Sequence, residues 1–242
     1  QNYNPHDRSG RYTAYDYAYS ALKSLPKNGI LFVYGDNDTY PTWAIQETER
    51  FRDDVKVVNH TLLATSWNID QVKRRTYNAM PVPSSLSHAE YREGTNDQIY
   101  LMDKNSWANI FENLEEQGLP ATELASLRKY LTQESMTLKE AIQFLRSKSE
   151  DKDMILKMLF GEEHYHKFNF LPVSKFVLPV NKENAVKYGI IKAQDAALAE
   201  NEIIIDYKGS TMYKNELMMM DILANFDWKR PISFSSGGIY NP

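Results

Sequence analysis

The apolar and polar positions come in blocks. Ile30-Leu31-Phe32-Val33-Tyr34 is an unbroken apolar run, rich in β-branched and aromatic residues, that stops at Gly35-Asp36-Asn37-Asp38-Thr39. Its length and composition predict a strand covered on both faces. Ahead of it, Tyr15, Ala18, Tyr19 and Leu22 recur at spacings of three and four. They predict a helix over 12–25, closed by Pro26 to Gly29. Behind it, Pro41 fits only a first helical turn, so a second helix is expected from about Tyr40, with Trp43, Glu47 and Phe51 on one face. Val55-Lys56-Val57-Val58 predicts a second strand, and the polar switch Asn59-His60-Thr61 leads to a helix over 67–77. Strand, helix, strand and helix in succession imply a parallel sheet with right-handed crossovers.

The alternation then lapses. Residues 81–94 read as a loop holding Pro, Ser and Gly, and 98–102 as a short strand. Helical patterns cover 107–116, 121–131 and 137–146, the last opened by the capping box Thr137-Leu138-Lys139-Glu140, and a short helix is expected over 153–160. Strands are predicted over 175–178 and 203–205, the first on an edge because Pro179 follows it. A helix over 212–226 and a strand over 232–235 end the pattern. The expectation is one α/β domain over 1–242, a Rossmann-like layered fold with a mainly parallel central sheet. A mostly helical insertion at about 81–165 is expected to pack to one side.

Composition narrows the function. A chain of 242 residues can bury roughly 70–75% of its unfolded surface, so a core needs no staples. The net charge of -4 argues against nucleic acid as a partner, which calls for a basic surface. The densest basic cluster, Lys73-Arg74-Arg75, is expected to coat a helix face. With no cysteine, disulfides and thiolate metal sites are excluded. No apolar run approaches the ~20 residues that cross a bilayer. The nearest, Leu217 to Ala224, carries Asp221 and reads as a buried helix. The chain opens on Gln with no signal-peptide pattern, and is expected to be the water-facing piece of a larger protein. The 16 tyrosines suit half-buried core edges as well as carbohydrate or protein contacts. Tyr12, Tyr15, Tyr17 and Tyr19 point around more than one face of the first helix and could dock a partner.

Candidate chemistry concentrates where the first two strands end. Ligands of parallel sheets bind beyond the carboxyl ends of the strands. There Asp36, Asn37 and Asp38 follow the first strand, and Asn59 and His60 the second. Two carboxylates one residue apart can hold a hard cation or accept hydrogen bonds from sugar hydroxyls. The commoner role is structural: Gly35 turns the chain, Asp36 bonds loop amides, and Asp38 or Thr39 caps the next helix. His60 is either a base near neutral pH or, more often, a satisfied structural residue. His164-Tyr165-His166, behind Glu162-Glu163, has metal-ligating residue types but no partner at a defined spacing, and an exposed loop is the expected setting. Phosphate-loop, dinucleotide, nucleophile-elbow and zinc-protease signatures are missing from the sequence. No cofactor and no self-contained catalytic set are therefore expected. The alternative is a metal-assisted sugar-phosphate transferase or hydrolase site on Asp36, Asp38 and His60.

Several sequence words resemble one family. Asn4-Pro5-His6-Asp7-Arg8-Ser9-Gly10, Ile30-Leu31-Phe32 through Gly35-Asp36-Asn37-Asp38-Thr39-Tyr40-Pro41, Asp54-Val55-Lys56-Val57-Val58-Asn59, Lys214-Asn215-Glu216-Leu217-Met218 and Trp228-Lys229-Arg230-Pro231-Ile232 occur in order along the chain. Together they resemble the extramembranous C-terminal region of bacterial unknown-function family 2723, grouped as glycosyltransferase family 117. Val33-Tyr34 and Ser233 depart from its usual pattern. The resemblance implies a periplasmic appendage, at the face of a bacterial membrane, of a protein whose own transmembrane portion is missing here and would carry the catalytic acids. Engagement of a glycan or protein acceptor, or a scaffold role, would then fall to this chain, with Asp36, Asn37, Asp38, Asn59 and His60 as the contacting residues.

Overall fold

A computed structural model describes residues 10–235. The turn-rich opening at 4–9 and the Gly237-Gly238 pair lie outside them. The first helix, α1 (Thr13–Ser24), leads to β1 (Ile30–Val33), α2 (Gly35–Glu49) and β2 (Lys56–Asn59). β1 pairs in parallel with β2 on one side and with β9 (Ile232–Phe234) on the other. Every residue of β1 is buried, and the strand divides its side chains between two cores. Leu31 and Val33 pack with Ala18, Leu22 and Ile45 of α1 and α2, while Ile30 and Phe32 face a second cluster. Burial on both faces is what the unbroken apolar run required.

The centre of that second cluster is α10 (Lys214–Asn225). Leu217, Met218, Met220, Asp221, Ile222 and Ala224 are all buried, so this helix is covered on nearly every side. It packs against the short 3₁₀ turn at Thr61–Ala64 and against α7 (Leu138–Arg146). Residues 212–213, read as the start of this helix, instead belong to β8 (Thr211–Tyr213).

Two further three-stranded sheets surround the same core. β3 (Gln98–Leu101) pairs in parallel with β5 (Asn169–Leu171) and antiparallel with β8. β6 (Lys175–Pro179) pairs in parallel with β4 (Met136–Thr137) and antiparallel with β7 (Glu202–Asp206). The fold is α/β, but among the described residues the mainly parallel central sheet expected from the alternation is represented by β2-β1-β9 alone; the other strands form two small mixed sheets. The periodicity of β1, β2, β3, β6, β7 and β9 was legible and that of the short β4, β5 and β8 was not, and sheet membership depends on pairings across the chain. β6 is likewise a central strand rather than an edge. Pro179 is tolerated because β4 is so short that it reaches only Phe176 and Val177.

Between β3 and β5 run α5 (Lys104–Glu116), α6 (Ala121–Thr132), α7 and α8 (Glu150–Phe160). Trp107, Ile110, Leu114, Leu127, Ile155 and Phe170 form a separate hydrophobic cluster there. Thr137 and Glu140 make the reciprocal capping box at the start of α7, as the motif predicts. The helix expected over 67–77 is shorter: α3 (Ser66–Val72) ends before the basic triplet. Lys73 closes it and lies 4.8 Å from the Tyr91 ring, so the triplet follows a helix end instead of coating a face.

Candidate functional site

β1, β2 and β9 are parallel, so their carboxyl ends meet at one edge. Val33 is in register with Asn59, and the His60 amide donates to the Val33 carbonyl at 2.9 Å. The amide of Ser235, just past β9, donates to the Phe32 carbonyl at 2.8 Å. The strand-end residues singled out from the sequence therefore do converge. They are not, however, in the setting expected of them.

Gly35 to Asp38 are already the first turn of α2 and not a loop before it. Gly35 makes the change of direction at φ +72°, a conformation that favours glycine, and a Cβ there would meet no atom within 4 Å. Pro41 accordingly lies inside the helix. It removes an N–H that would bond the Asn37 carbonyl. Around it the hydroxyls of Thr39 and Thr42 donate back to the carbonyls of Gly35 and Asp38, at 2.6 and 2.9 Å. No side chain caps α2. Asp36 and Asp38 are in its first turn, where carboxylates complement the positive end of the helix dipole.

The five residues divide by what holds them. Asp38 accepts a 2.5 Å hydrogen bond from Ser235 Oγ. Asn59 is buried, donates to Thr39 Oγ1 at 2.8 Å and accepts from the Leu62 amide at 3.0 Å. Both side chains thus tie strand ends to helices. Asp36 and Asn37 stand exposed. His60 is half-buried, stacked on Tyr34 with ring centroids 5.8 Å apart, and its Nδ1 lies 3.4 Å from Asn215 Nδ2. Burial lowers its pKa below the ordinary value, outweighing the nearby Glu216 carboxylate, so the imidazole is neutral at pH 7.

What this edge can do is hydrogen-bond. Among the described residues it presents one free-standing carboxylate, one amide, a neutral imidazole and a tyrosine ring. Among the described residues no group of three or more His, Cys, Asp or Glu could hold a metal ion, so the donor set does not fit the metal-assisted alternative. His164 and His166 flank Tyr165 at an exposed 3₁₀ turn, Tyr165–Lys167, away from any such group. Sequence reasoning missed Ser235, Asn215 and Glu216 as neighbours of this edge. Their only signal was that Asn215 and Glu216 belong to a block of family-like words.

A family model described as TMEM260-associated domain 2 matches residues 14–242. The chain belongs to this family. A stretch of 66 residues is 35% identical to protein O-mannosyl-transferase tmem260 of Dictyostelium discoideum, covering 27% of this chain and 8% of that protein. No solved structure matches the chain. A TMEM260-associated domain with a transferase relative keeps the glycosyltransferase connection read from the sequence words, at the level of family relationship. The family matched carries a different description from the one those words suggested. Within this TMEM260-associated domain, no helix of the described residues is long and apolar enough to cross a membrane.

Proposed function

We propose that this chain is the extramembranous domain of a membrane-embedded glycosyltransferase, attached through a transmembrane portion beyond this sequence and facing the periplasm. On this reading it engages a glycan or protein acceptor at the strand-end edge, or orders the transferase, and does not itself catalyse transfer. The observation that carries the reading is the division of labour among the edge residues. Asp38 and Asn59 are spent on internal hydrogen bonds, while Asp36 and Asn37 are left to contact a partner. A catalytic acid or base would need a positioned partner and a tuned pKa. Burial moves the His60 pKa down, so its imidazole stays neutral and further from the range a base near pH 7 needs.

The test uses the full-length protein and a peptide acceptor. Replacing Asp36 and Asn37 together by alanine is expected to raise the acceptor KM about tenfold, with kcat within about twofold. A hundredfold loss of kcat at unchanged KM would overturn the reading and make the edge catalytic. Unchanged kinetics would remove the acceptor role and leave the scaffold role, which deletion of the domain then tests.

A further inference from the structure

A second concave site lies at the other end of β2, where Lys56 begins the strand that Asn59 closes. Its volume is about 350 Å³, in the range of roughly 300–1,000 Å³ typical of small-molecule sites. Trp43 of α2, Trp67 and Asn68 of α3, Lys56 and Tyr77 line it, with Gln71 also on the wall.

Three features of the lining point the same way. The first is aromatic. Trp67 is 56% exposed and its side chain makes no hydrogen bond or ring contact with any described residue, an unusual position for a large indole. Tyr77 is fixed as a wall: Arg50 covers one ring face at 3.5 Å and its hydroxyl bonds Glu47 at 2.5 Å. The second is an unmet polar group. Asn68 is only 1% exposed, and its Oδ1 has no hydrogen-bond partner among the described residues. Leaving a buried acceptor unpaired is costly; the atom is sealed off as it stands, and a turn of the side chain into the cavity would let a ligand hydroxyl satisfy it. The third is balance of charge. Lys56, whose ammonium is bonded to the Arg74 carbonyl at 2.9 Å and Thr76 Oγ1 at 3.0 Å, lines the same cavity as Glu47 and Asp53. Opposed charges suit a neutral ligand better than a phosphate or a carboxylate.

We infer that this cavity binds a neutral pyranose ring of a glycan. The apolar C–H face of such a ring stacks on an indole, and its hydroxyls need in-plane donors and acceptors of the kind the exposed Gln71 amide supplies, and Asn68 once turned inward. The site is separate from the strand-end edge, so it stands or falls independently of the acceptor role proposed there.

The experiment is saturation-transfer NMR and tryptophan-fluorescence titration of the chain. The probes are methyl α-mannopyranoside, methyl β-galactopyranoside and N-acetylglucosamine, with an unglycosylated serine-rich peptide beside them. Saturable binding of at least one sugar is expected, with transfer strongest to the C–H protons of one ring face. Trp67→Ala should weaken it about tenfold, and Trp67→Phe should restore most of the loss. Gln71→Ala should weaken it severalfold. Both positions are exposed, so circular dichroism should show an unchanged fold. No saturable sugar binding, equal affinity in Trp67→Ala, or saturation by the peptide alone would each overturn the inference.

Discussion

Asp221 shows how far a single residue can be read. In the sequence it interrupts an apolar stretch and marks it as a buried helix rather than a membrane span. In the structure the residue is fully buried, and its carboxylate accepts from Ser84 Oγ at 2.6 Å, from the Ser85 amide and Oγ at 2.9 and 2.7 Å, and from Asn225 Nδ2 at 2.9 Å. It pins the loop after α3 to α10 across more than 130 positions of chain. Asp221→Ala leaves those donors buried without an acceptor and is expected to cost roughly 3 kcal/mol, measured by urea unfolding. A loss below about 1 kcal/mol would mean that water replaces the carboxylate. The strand-end residues follow the same rule. Their clustering was legible because parallel strands put their ends together. That Ser235 would occupy Asp38 was not, since the two lie 197 positions apart.

At the scale of elements, local signals were reliable and terminal ones less so. The Thr137–Glu140 box depends on four consecutive residues and was visible at once. The start of α2 was misplaced by five residues because Pro41 was held to a first turn. Threonine hydroxyls on either side of it bond the neighbouring carbonyls, and the helix continues back to Gly35. The end of α7 uses a device invisible in sequence. Lys152, from the first turn of α8, is buried and donates through Nζ to the carbonyls of Phe144, Leu145 and Ser147, at 2.9, 3.0 and 3.2 Å. An ammonium has three donors, and all are used. Lys152→Met keeps the packing but orphans those carbonyls, so a loss of about 2 kcal/mol is expected, with faster amide exchange confined to the α7–α8 corner. Exchange rising equally over the whole chain would show that the lysine is not a local clamp.

For the whole molecule, buried lysines set an alkaline signature. Burial lowers the pKa of Lys56 and of Lys152 to about 8, well under the usual lysine range; the charge of Arg230 adds to the effect at Lys56 and the Asp153 carboxylate opposes it at Lys152. Between about pH 8 and the unfolded value near 10.5 the unfolded chain holds more protons than the folded one, so these two groups make stability rise with pH. Tyr91 and Tyr207 act in the opposite sense, because burial and then acidic neighbours raise their pKa and the unfolded chain loses protons first above about pH 10. Melting temperature is therefore expected to rise from about pH 8 to a maximum near pH 10, and the rise should shrink in a Lys56→Met, Lys152→Met double variant. A melting temperature that falls steadily from pH 7 to 10 in the unsubstituted protein would contradict this. Taken alone, the sequence determined the α/β class, most element positions and the convergence of Asp36, Asp38 and His60 on one edge. All of these follow from short-range periodicity and strand direction. Only the tertiary structure decided that the strands divide into three sheets around α10. It alone also settled that Asp38 and Asn59 serve the scaffold, and that Trp43, Lys56, Trp67 and Asn68 share a cavity. Those outcomes depend on which distant groups remain to satisfy a buried polar atom or cover an apolar face, and that is fixed only when the chain is packed.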